Sequence, residues 1–82
     1  MKTKIYESFI LNTVDRVNTF VSVNSASSCF VDVFRDRYQV DGKSIMGVFS
    51  LEVSRPVKVA IRGTEEEIAA LDSKYKEVGL II

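Results

Sequence analysis

Polar and apolar positions repeat at helical spacing over the last third of the chain. The segment Thr64–Glu67 matches a capping box, in which the Thr64 hydroxyl and the Glu67 carboxylate each bind the other residue's backbone amide. Apolar residues then follow three or four positions apart, at Ile68, Leu71, Tyr75 and Val78. Gly79 is typical of a left-handed helix stop. The pattern predicts a helix that begins after Thr64 and ends before Gly79.

Alternating apolar positions predict strands in the middle of the chain. The clearest is Val57–Arg62, which Pro56 opens at a position where the missing N–H does little harm. Two shorter alternating runs, at residues 31–33 and 38–40, are close enough to form a hairpin. Between them, Asp36 and Arg37 are not a favoured two-residue turn, so the pattern does not predict the turn type.

The segment 15–28 gives two conflicting signals. A helical stripe of apolar residues runs through it, at Val14, Val17, Phe20 and Val21. However, residues 19–23 are rich in the β-branched side chains that favour strands. The pattern by itself therefore leaves helix and strand open here.

Composition narrows the classes of function. The 82 residues correspond to one small domain, and 11 basic and 11 acidic side chains give a net charge of zero, which argues against a nucleic-acid partner. Glu7 stands where a signal peptide would need an unbroken apolar region, so no signal peptide is expected. No apolar run approaches the roughly 20 residues that span a bilayer. Cys29 is the only cysteine, which favours a reducing cytosol. Without histidine, zinc and iron sites are excluded and no cofactor is expected.

The segment Lys43–Leu51 carries the most specific motif, Lys-Ser-Ile-Met-Gly-Val-Phe-Ser-Leu. It resembles the regulatory-serine segment of HPr, the small phosphocarrier of the bacterial sugar phosphotransferase system, in which a methionine stands where this chain has Phe49. The resemblance implies one α/β (α+β) domain over residues 1–82. This is the HPr-like open-faced sandwich, a four-stranded antiparallel sheet with three helices on one face in the order β-α-β-β-α-β-α. The resemblance also assigns residues 15–28 to the first helix and Lys4–Ile10 to the first strand.

Ser44 is the first candidate site residue. It precedes a helix expected over Ile45–Leu51, where a serine hydroxyl commonly accepts a bond from the first-turn amides. Such a cap is the plainer interpretation. The resemblance implies the second one, that Ser44 is a phosphorylation site, and a helix N-terminus stabilises added negative charge.

Three apolar residues beside Ser44 form the second candidate, Ile45, Met46 and Phe49. On a helix that begins at Ser44, Val48 and Leu51 point into the core, while Met46 and Phe49 share a more exposed face. Small proteins often leave some apolar side chains exposed. The resemblance implies instead that these residues bind partners.

The resemblance places Asp15 at the position of the HPr histidine that carries phosphate. The family's arginine two residues later is replaced by Val17, and Arg16 lies one position early, where the resemblance makes it a partner-binding candidate. Three interpretations of Asp15 remain open. It is an N-cap or first-turn acid, or it imitates the charge of phosphohistidine, or it accepts phosphate itself.

The resemblance as a whole implies a regulatory protein and not an enzyme. In this hypothesis HPr kinase/phosphorylase modifies Ser44, and the protein binds a transcriptional regulator or an enzyme in the cytoplasm without touching nucleic acid or membrane. A chain with no histidine cannot carry out histidine phosphotransfer. The alternatives are an interaction domain that is never phosphorylated and a phosphocarrier that uses Asp15.

Overall fold

Seven elements follow one another as strand, helix, strand, strand, helix, strand, helix in a computed structural model that describes Met1–Ile82. They are β1 (Lys2–Phe9), α1 (Val14–Ser25), β2 (Phe30–Arg35), β3 (Tyr38–Asp41), α2 (Ile45–Ser50), β4 (Val57–Gly63) and α3 (Glu65–Glu77). This order confirms the predicted fold class. It also confirms that Val14–Ser25 is a helix, a choice that the local pattern of side chains had left open.

The four strands form one antiparallel sheet in the order β1-β4-β2-β3. In the centre of the sheet Val33 pairs with Val59 on one side and with Val40 on the other, so all three face the same way. Neighbouring positions such as Phe30 and Lys58 face the opposite way and are exposed. The sheet therefore has one open face and one face covered by the helices.

The core lies between the covered face of the sheet and the three helices. Its buried side chains are Phe9, Leu11, Val17, Phe20, Cys29, Val31, Val33, Val48, Leu51, Val57, Val59, Ile61, Leu71, Tyr75 and Leu80. Four aromatic rings contact one another at its centre, those of Tyr6, Phe9, Phe20 and Tyr75. Burial of these rings supplies much of the apolar area that a chain this short can remove from water.

Helix α3 forms from the local signals that predicted it. The Thr64 amide donates to Glu67 Oε1 at 2.8 Å, and the Glu67 amide donates to Thr64 Oγ1 at 3.1 Å. The bond from the Thr64 amide lowers the pKa of Glu67, and a bond with Ser28 adds to the effect. At the other end Gly79 has φ 79°, and the Leu80 amide donates to the Tyr75 carbonyl at 2.9 Å. This is a Schellman C-cap.

The β2–β3 hairpin uses a two-residue turn in which Asp36 has a positive φ of 55°. Arg35 and Tyr38 pair directly across it. Aspartate is one of the few residues besides glycine that tolerates this conformation, because its short side chain can bond to nearby backbone. The turn type that the pattern left open therefore depends on Asp36.

Several predicted boundaries were wrong by one to three residues. β1 begins and ends earlier than the predicted Lys4–Ile10, because its pairing with β4 extends back to Lys2 opposite Gly63. α1 ends at Ser25 and not at residue 28, and the residues that follow lead into β2. α2 stops at Ser50, since Leu51 has extended dihedral angles.

Val14 begins α1 with 63% of its surface exposed, so it does not belong to the buried apolar stripe that the pattern predicted for this helix.

A hydrogen bond between Tyr6 and Asp72 fastens β1 to α3. The Tyr6 hydroxyl donates to Asp72 Oδ1 at 2.5 Å, and the ammonium groups of Lys4 and Lys76 lie 3.3 and 3.1 Å from the same carboxylate. The bond from Tyr6 is the largest cause that lowers the pKa of Asp72. Burial, followed by the bond to Asp72, raises the pKa of Tyr6.

Candidate functional site

The loop before α2 holds Ser44 in a defined orientation. Asp41 makes two hydrogen bonds within this loop. Its Oδ1 accepts from the Lys43 amide at 2.9 Å, and its backbone carbonyl accepts from the Ser44 amide at 3.0 Å. Ser44 itself has extended dihedral angles, and its Oγ accepts from the Gly47 amide at 3.1 Å. The prediction that Ser44 is the N-cap of α2 is confirmed.

Gly47 leaves room for this cap. A side chain at Gly47 would bring a Cβ atom to within 3.1 Å of the Ser44 hydroxyl oxygen. Such contacts are tighter than ordinary van der Waals distances. Glycine costs some helix stability, but here it lets the Ser44 side chain lie directly over the first turn.

The apolar residues of α2 divide between the core and the surface. Val48 has no exposed surface and Leu51 is buried, whereas Met46 is 77% exposed and Phe49 is 40% exposed. Ile45 is also partly exposed. We call Ile45, Met46 and Phe49 the α2 patch. The predicted orientation of this helix is confirmed, and the patch lies next to Ser44.

The two serines of the motif differ in environment. Ser50 Oγ donates to the Gly47 carbonyl at 2.6 Å, as expected for a serine inside a helix. Ser44 Oγ only accepts a bond from the protein, which leaves its own hydrogen without a protein acceptor. Of the two hydroxyls, that of Ser44 is therefore the freer to react.

Lys43 points away from the serine that follows it. Its ammonium donates to the Ser27 carbonyl, just past the end of α1, at 2.8 Å. α1 has no basic residue in its own last turn. Lys43 therefore supplies the cation that stabilises the carbonyl end of this helix.

Asp15 lies in the first turn of α1 and is exposed. The N-cap is Thr13, whose Oγ1 accepts from the Arg16 amide at 3.1 Å. The interpretation of Asp15 as an N-cap is therefore wrong, and its position in the first turn is confirmed. A carboxylate there is stabilised by the positive end of the helix dipole.

The guanidinium of Arg16 donates to three backbone oxygens, one of them near in the chain and two of them distant. Nε donates to the Ile10 carbonyl at 2.8 Å, one terminal nitrogen donates to Leu80 at 2.8 Å, and the other donates to Gly79 at 3.4 Å. This structural role was not predicted, because the residues around Arg16 in the sequence do not indicate hydrogen-bond acceptors 63 and 64 residues away. That Arg16 also binds a partner stays a prediction.

Nowhere do three histidine, cysteine, aspartate or glutamate residues converge in a way that would hold a metal ion. None of the helices is both long and apolar enough to cross a bilayer. What the site offers is a capping hydroxyl beside an exposed apolar patch.

Solved structures provide the comparison with known proteins. A structure titled HPr-C-His from Thermoanaerobacter tengcongensis is 31% identical to this chain, with a TM-score of 0.64, and the match covers 93% of this chain and 97% of that one. Neither the models of protein families nor the curated proteins gave a match.

Two more distant structures share the fold. The phosphocarrier protein HPr from Bacillus anthracis is 23% identical with a TM-score of 0.67, and the match covers 89% of this chain and 94% of that one. A histidine-containing phosphocarrier protein from Mycoplasma is 16% identical with a TM-score of 0.69, and 98% of each chain is covered. The strand and helix order, the match at 31% identity and the motif around Ser44 agree. This chain belongs to the HPr family of phosphocarrier proteins.

Proposed function

We propose that this chain is a regulatory HPr-like protein of the sugar phosphotransferase system and not an enzyme. In this proposal HPr kinase/phosphorylase phosphorylates Ser44 in the cytoplasm. The protein then binds a transcriptional regulator or an enzyme through the α2 patch. It contacts neither nucleic acid nor membrane itself.

The observation that carries the proposal is the position of Ser44 at the edge of the α2 patch. Met46 and Phe49 expose apolar surface to solvent, while Val48 on the opposite face of the same helix is fully buried. Adaptable methionine and rigid aromatic side chains are typical of binding surfaces. A modification at Ser44 would therefore change the charge directly beside a surface that a partner can contact.

Phosphorylation at this position changes the surface without requiring a new fold. The first amides of a helix lack partners within the helix, and a phosphate carries about −1.5 to −2 charge at neutral pH. The carboxylate of Asp41, which stands three residues before Ser44 and accepts from the Lys43 amide, is a nearby group that repels the phosphate. The expected result is a locally negative surface on an otherwise unchanged domain.

The surroundings of Asp15 support a regulatory role over phosphotransfer. The chain has no histidine. The donors of the neighbouring Arg16 are bound to the carbonyls of Ile10, Gly79 and Leu80, so they do not surround a phosphate at Asp15. Aspartyl phosphate chemistry also depends on a divalent cation, and no acidic cluster that would bind one is present.

A second candidate function is an HPr-fold interaction domain that is never phosphorylated. The observation in its favour is that Ser44 already has a complete structural role, as the cap that accepts from Gly47. In that case the α2 patch would bind its partner with an unmodified serine beside it.

The test is to treat the full chain with HPr kinase and ATP and to measure its intact mass. We expect the addition of one phosphoryl group, which peptide mapping assigns to Ser44. Ser50→Ala is the matched control and should be modified as the wild type is, whereas Ser44→Ala should stay unmodified. If kinases from several bacteria leave the wild type unmodified, the unphosphorylated interaction domain is the better explanation.

A further inference from the structure

The side chain of Asn24 lies entirely inside the protein, at the inner side of α1. None of its surface is exposed. Its Nδ2 donates to the Gly42 carbonyl at 2.9 Å, and its Oδ1 accepts from the Tyr75 hydroxyl at 2.5 Å. The two bonds connect α1, α3 and the loop that leads to Ser44.

The chemistry of the three groups determines which way the amide points. A backbone carbonyl only accepts, so Asn24 must present its NH₂ group to Gly42. This leaves Oδ1 facing the Tyr75 hydroxyl, which donates. No buried side-chain nitrogen or oxygen of the protein lacks a partner. The chain of bonds is therefore complete in one orientation only.

The peptide backbone at Gly42 is held from both sides. Its amide donates to the Val31 carbonyl of β2 at 2.7 Å, while its carbonyl accepts from Asn24. A Cβ atom at this position would lie 2.9 Å from the Val31 Cβ, closer than two such atoms approach. Gly42 therefore lies directly against β2, and any side chain there would push the loop outward.

We propose that Asn24 is a positioning residue for Ser44. Gly42 stands two residues before Ser44, and the Asp41 carbonyl beside it accepts from the Ser44 amide. When Asn24 holds the Gly42 carbonyl, the loop enters α2 in the one direction that places the Ser44 hydroxyl over the first turn. The inference rests on the proposed function, because it names the residue that presents Ser44 to the kinase.

The first test measures the loop itself and needs no kinase. Asn24→Asp keeps the shape of the side chain, and its ionised form turns a carboxylate oxygen toward the Gly42 carbonyl, so the donor is lost. Because burial disfavours ionisation, hydrogen exchange is compared at neutral and at higher pH, where the ionised form is populated. Asn18→Asp introduces the same charge on the exposed side of the same helix and is the matched control. Hydrogen exchange of the full ¹⁵N-labelled chain, followed by NMR, reports each backbone amide separately.

We expect the Gly42 and Ser44 amides to exchange about tenfold faster or more in Asn24→Asp, since a lost bond at a buried group opens the loop locally. Amides of β4 should change by a smaller factor, and Asn18→Asp should match the wild type. Equal acceleration of all amides would show that Asn24 only stabilises the fold and would overturn the proposal, as would unchanged exchange at Gly42 and Ser44.

Tyr75→Phe provides a second variant if Asn24→Asp does not fold. It keeps the ring in the core but removes the hydroxyl that donates to Asn24 Oδ1, so the side chain that holds the Gly42 carbonyl loses one of its two bonds. We expect faster exchange at the Gly42 and Ser44 amides in the same direction. Exchange at these two amides that matches the wild type would contradict the positioning role.

The second test measures how fast the kinase modifies each variant. We expect kcat/KM for Ser44 to fall several-fold in Asn24→Asp and to stay unchanged in Asn18→Asp, because a mobile loop presents the hydroxyl in the reactive orientation less often. A faster-exchanging loop that is phosphorylated at the wild-type rate would overturn the role of Asn24 in presentation. If the wild type is not phosphorylated at all, the proposed function fails. The exchange rates alone then test whether Asn24 holds the loop in position.

Discussion

The guanidinium of Arg16 donates to the carbonyl oxygen of Leu80 at 2.8 Å and thereby ties the first turn of α1 to the chain that follows α3. The resemblance of the sequence to HPr implies a phosphate-holding arginine one position later, where this chain has Val17. In this protein the nearest arginine is instead part of the framework. Arg16 therefore has a structural role in this fold, because it joins α1 to the chain that follows α3.

Arg16→Ala should destabilise the protein by about 2 kcal/mol, since it removes three hydrogen bonds to backbone carbonyls and charged donors contribute more than neutral ones. Urea unfolding measures the change. Arg37→Ala, at the exposed hairpin, is the control and should stay within about 0.5 kcal/mol of the wild type. A loss no larger than that of the control would mean that these bonds do not stabilise the fold.

Incubation with enzyme I and labelled phosphoenolpyruvate should leave the chain unlabelled. The imidazole that accepts phosphate is absent, and Asp15 has neither a free neighbouring arginine nor a metal-binding cluster. An HPr that retains its histidine serves as the positive control in the same reaction. Stoichiometric labelling that disappears in Asp15→Asn would show that Asp15 is a phosphate acceptor after all.

The α2 helix allows binding and folding to be separated. Met46→Ala, at a side chain that is 77% exposed, should change the free energy of unfolding by no more than about 0.5 kcal/mol. Val48→Ala should cost about 2 kcal/mol, because it removes two buried methyl groups and leaves a cavity. Thermal melts of the two variants measure both changes.

Phe49→Ala should weaken partner binding by about 2 kcal/mol or more if the α2 patch is the docking surface. Its partly exposed ring should cost the fold less than the change at Val48 does. Titration against a captured partner, beside a thermal melt, checks both expectations. Greater destabilisation by Phe49→Ala than by Val48→Ala would mean that the aromatic serves the core and that the patch is not a docking surface.

The ionised carboxylate of Asp72 should increase the free energy of unfolding above about pH 4, and this contribution should be lost in acid. The native pKa of Asp72 is lowered, chiefly by the bond from Tyr6. An aspartate in the unfolded chain has a pKa of about 3.9. The carboxylate therefore stabilises the fold above that pH, and the contribution is lost as the pH falls through the lower native value. Urea unfolding of wild type and Asp72→Asn should differ at neutral pH and converge in acid.

Tyr6→Phe tests the cause of this pH dependence. It removes the donor but keeps the carboxylate, so the native pKa of Asp72 should move back toward its ordinary value. The acid-dependent part of the stability should then be smaller than in the wild type. An unchanged dependence would assign the effect to Lys4 and Lys76, the cations that also contact Asp72.

Features that depend on residues close together in the chain could be predicted from the sequence. The capping box of α3 and the cap of α2 each join residues three positions apart, and the burial of Val48 against the exposure of Met46 follows from helical spacing. The motif around Ser44 also implied the family, because its nine residues are contiguous in the chain. Such features are predictable because the chain brings the residues together through its own local geometry.

The roles of Asn24 and Arg16 depend on tertiary packing and could not be predicted from the sequence. Asn24 binds a tyrosine 51 residues away, and Arg16 binds carbonyls 63 and 64 residues away. Nothing in the local sequence distinguishes these side chains from the exposed polar residues beside them in α1. Their partners are backbone oxygens and a ring hydroxyl, which become close only when the sheet and helices pack. The position of Ser44 was therefore evident from the sequence, whereas the bonds that hold its loop in place depend on the packing of the whole domain.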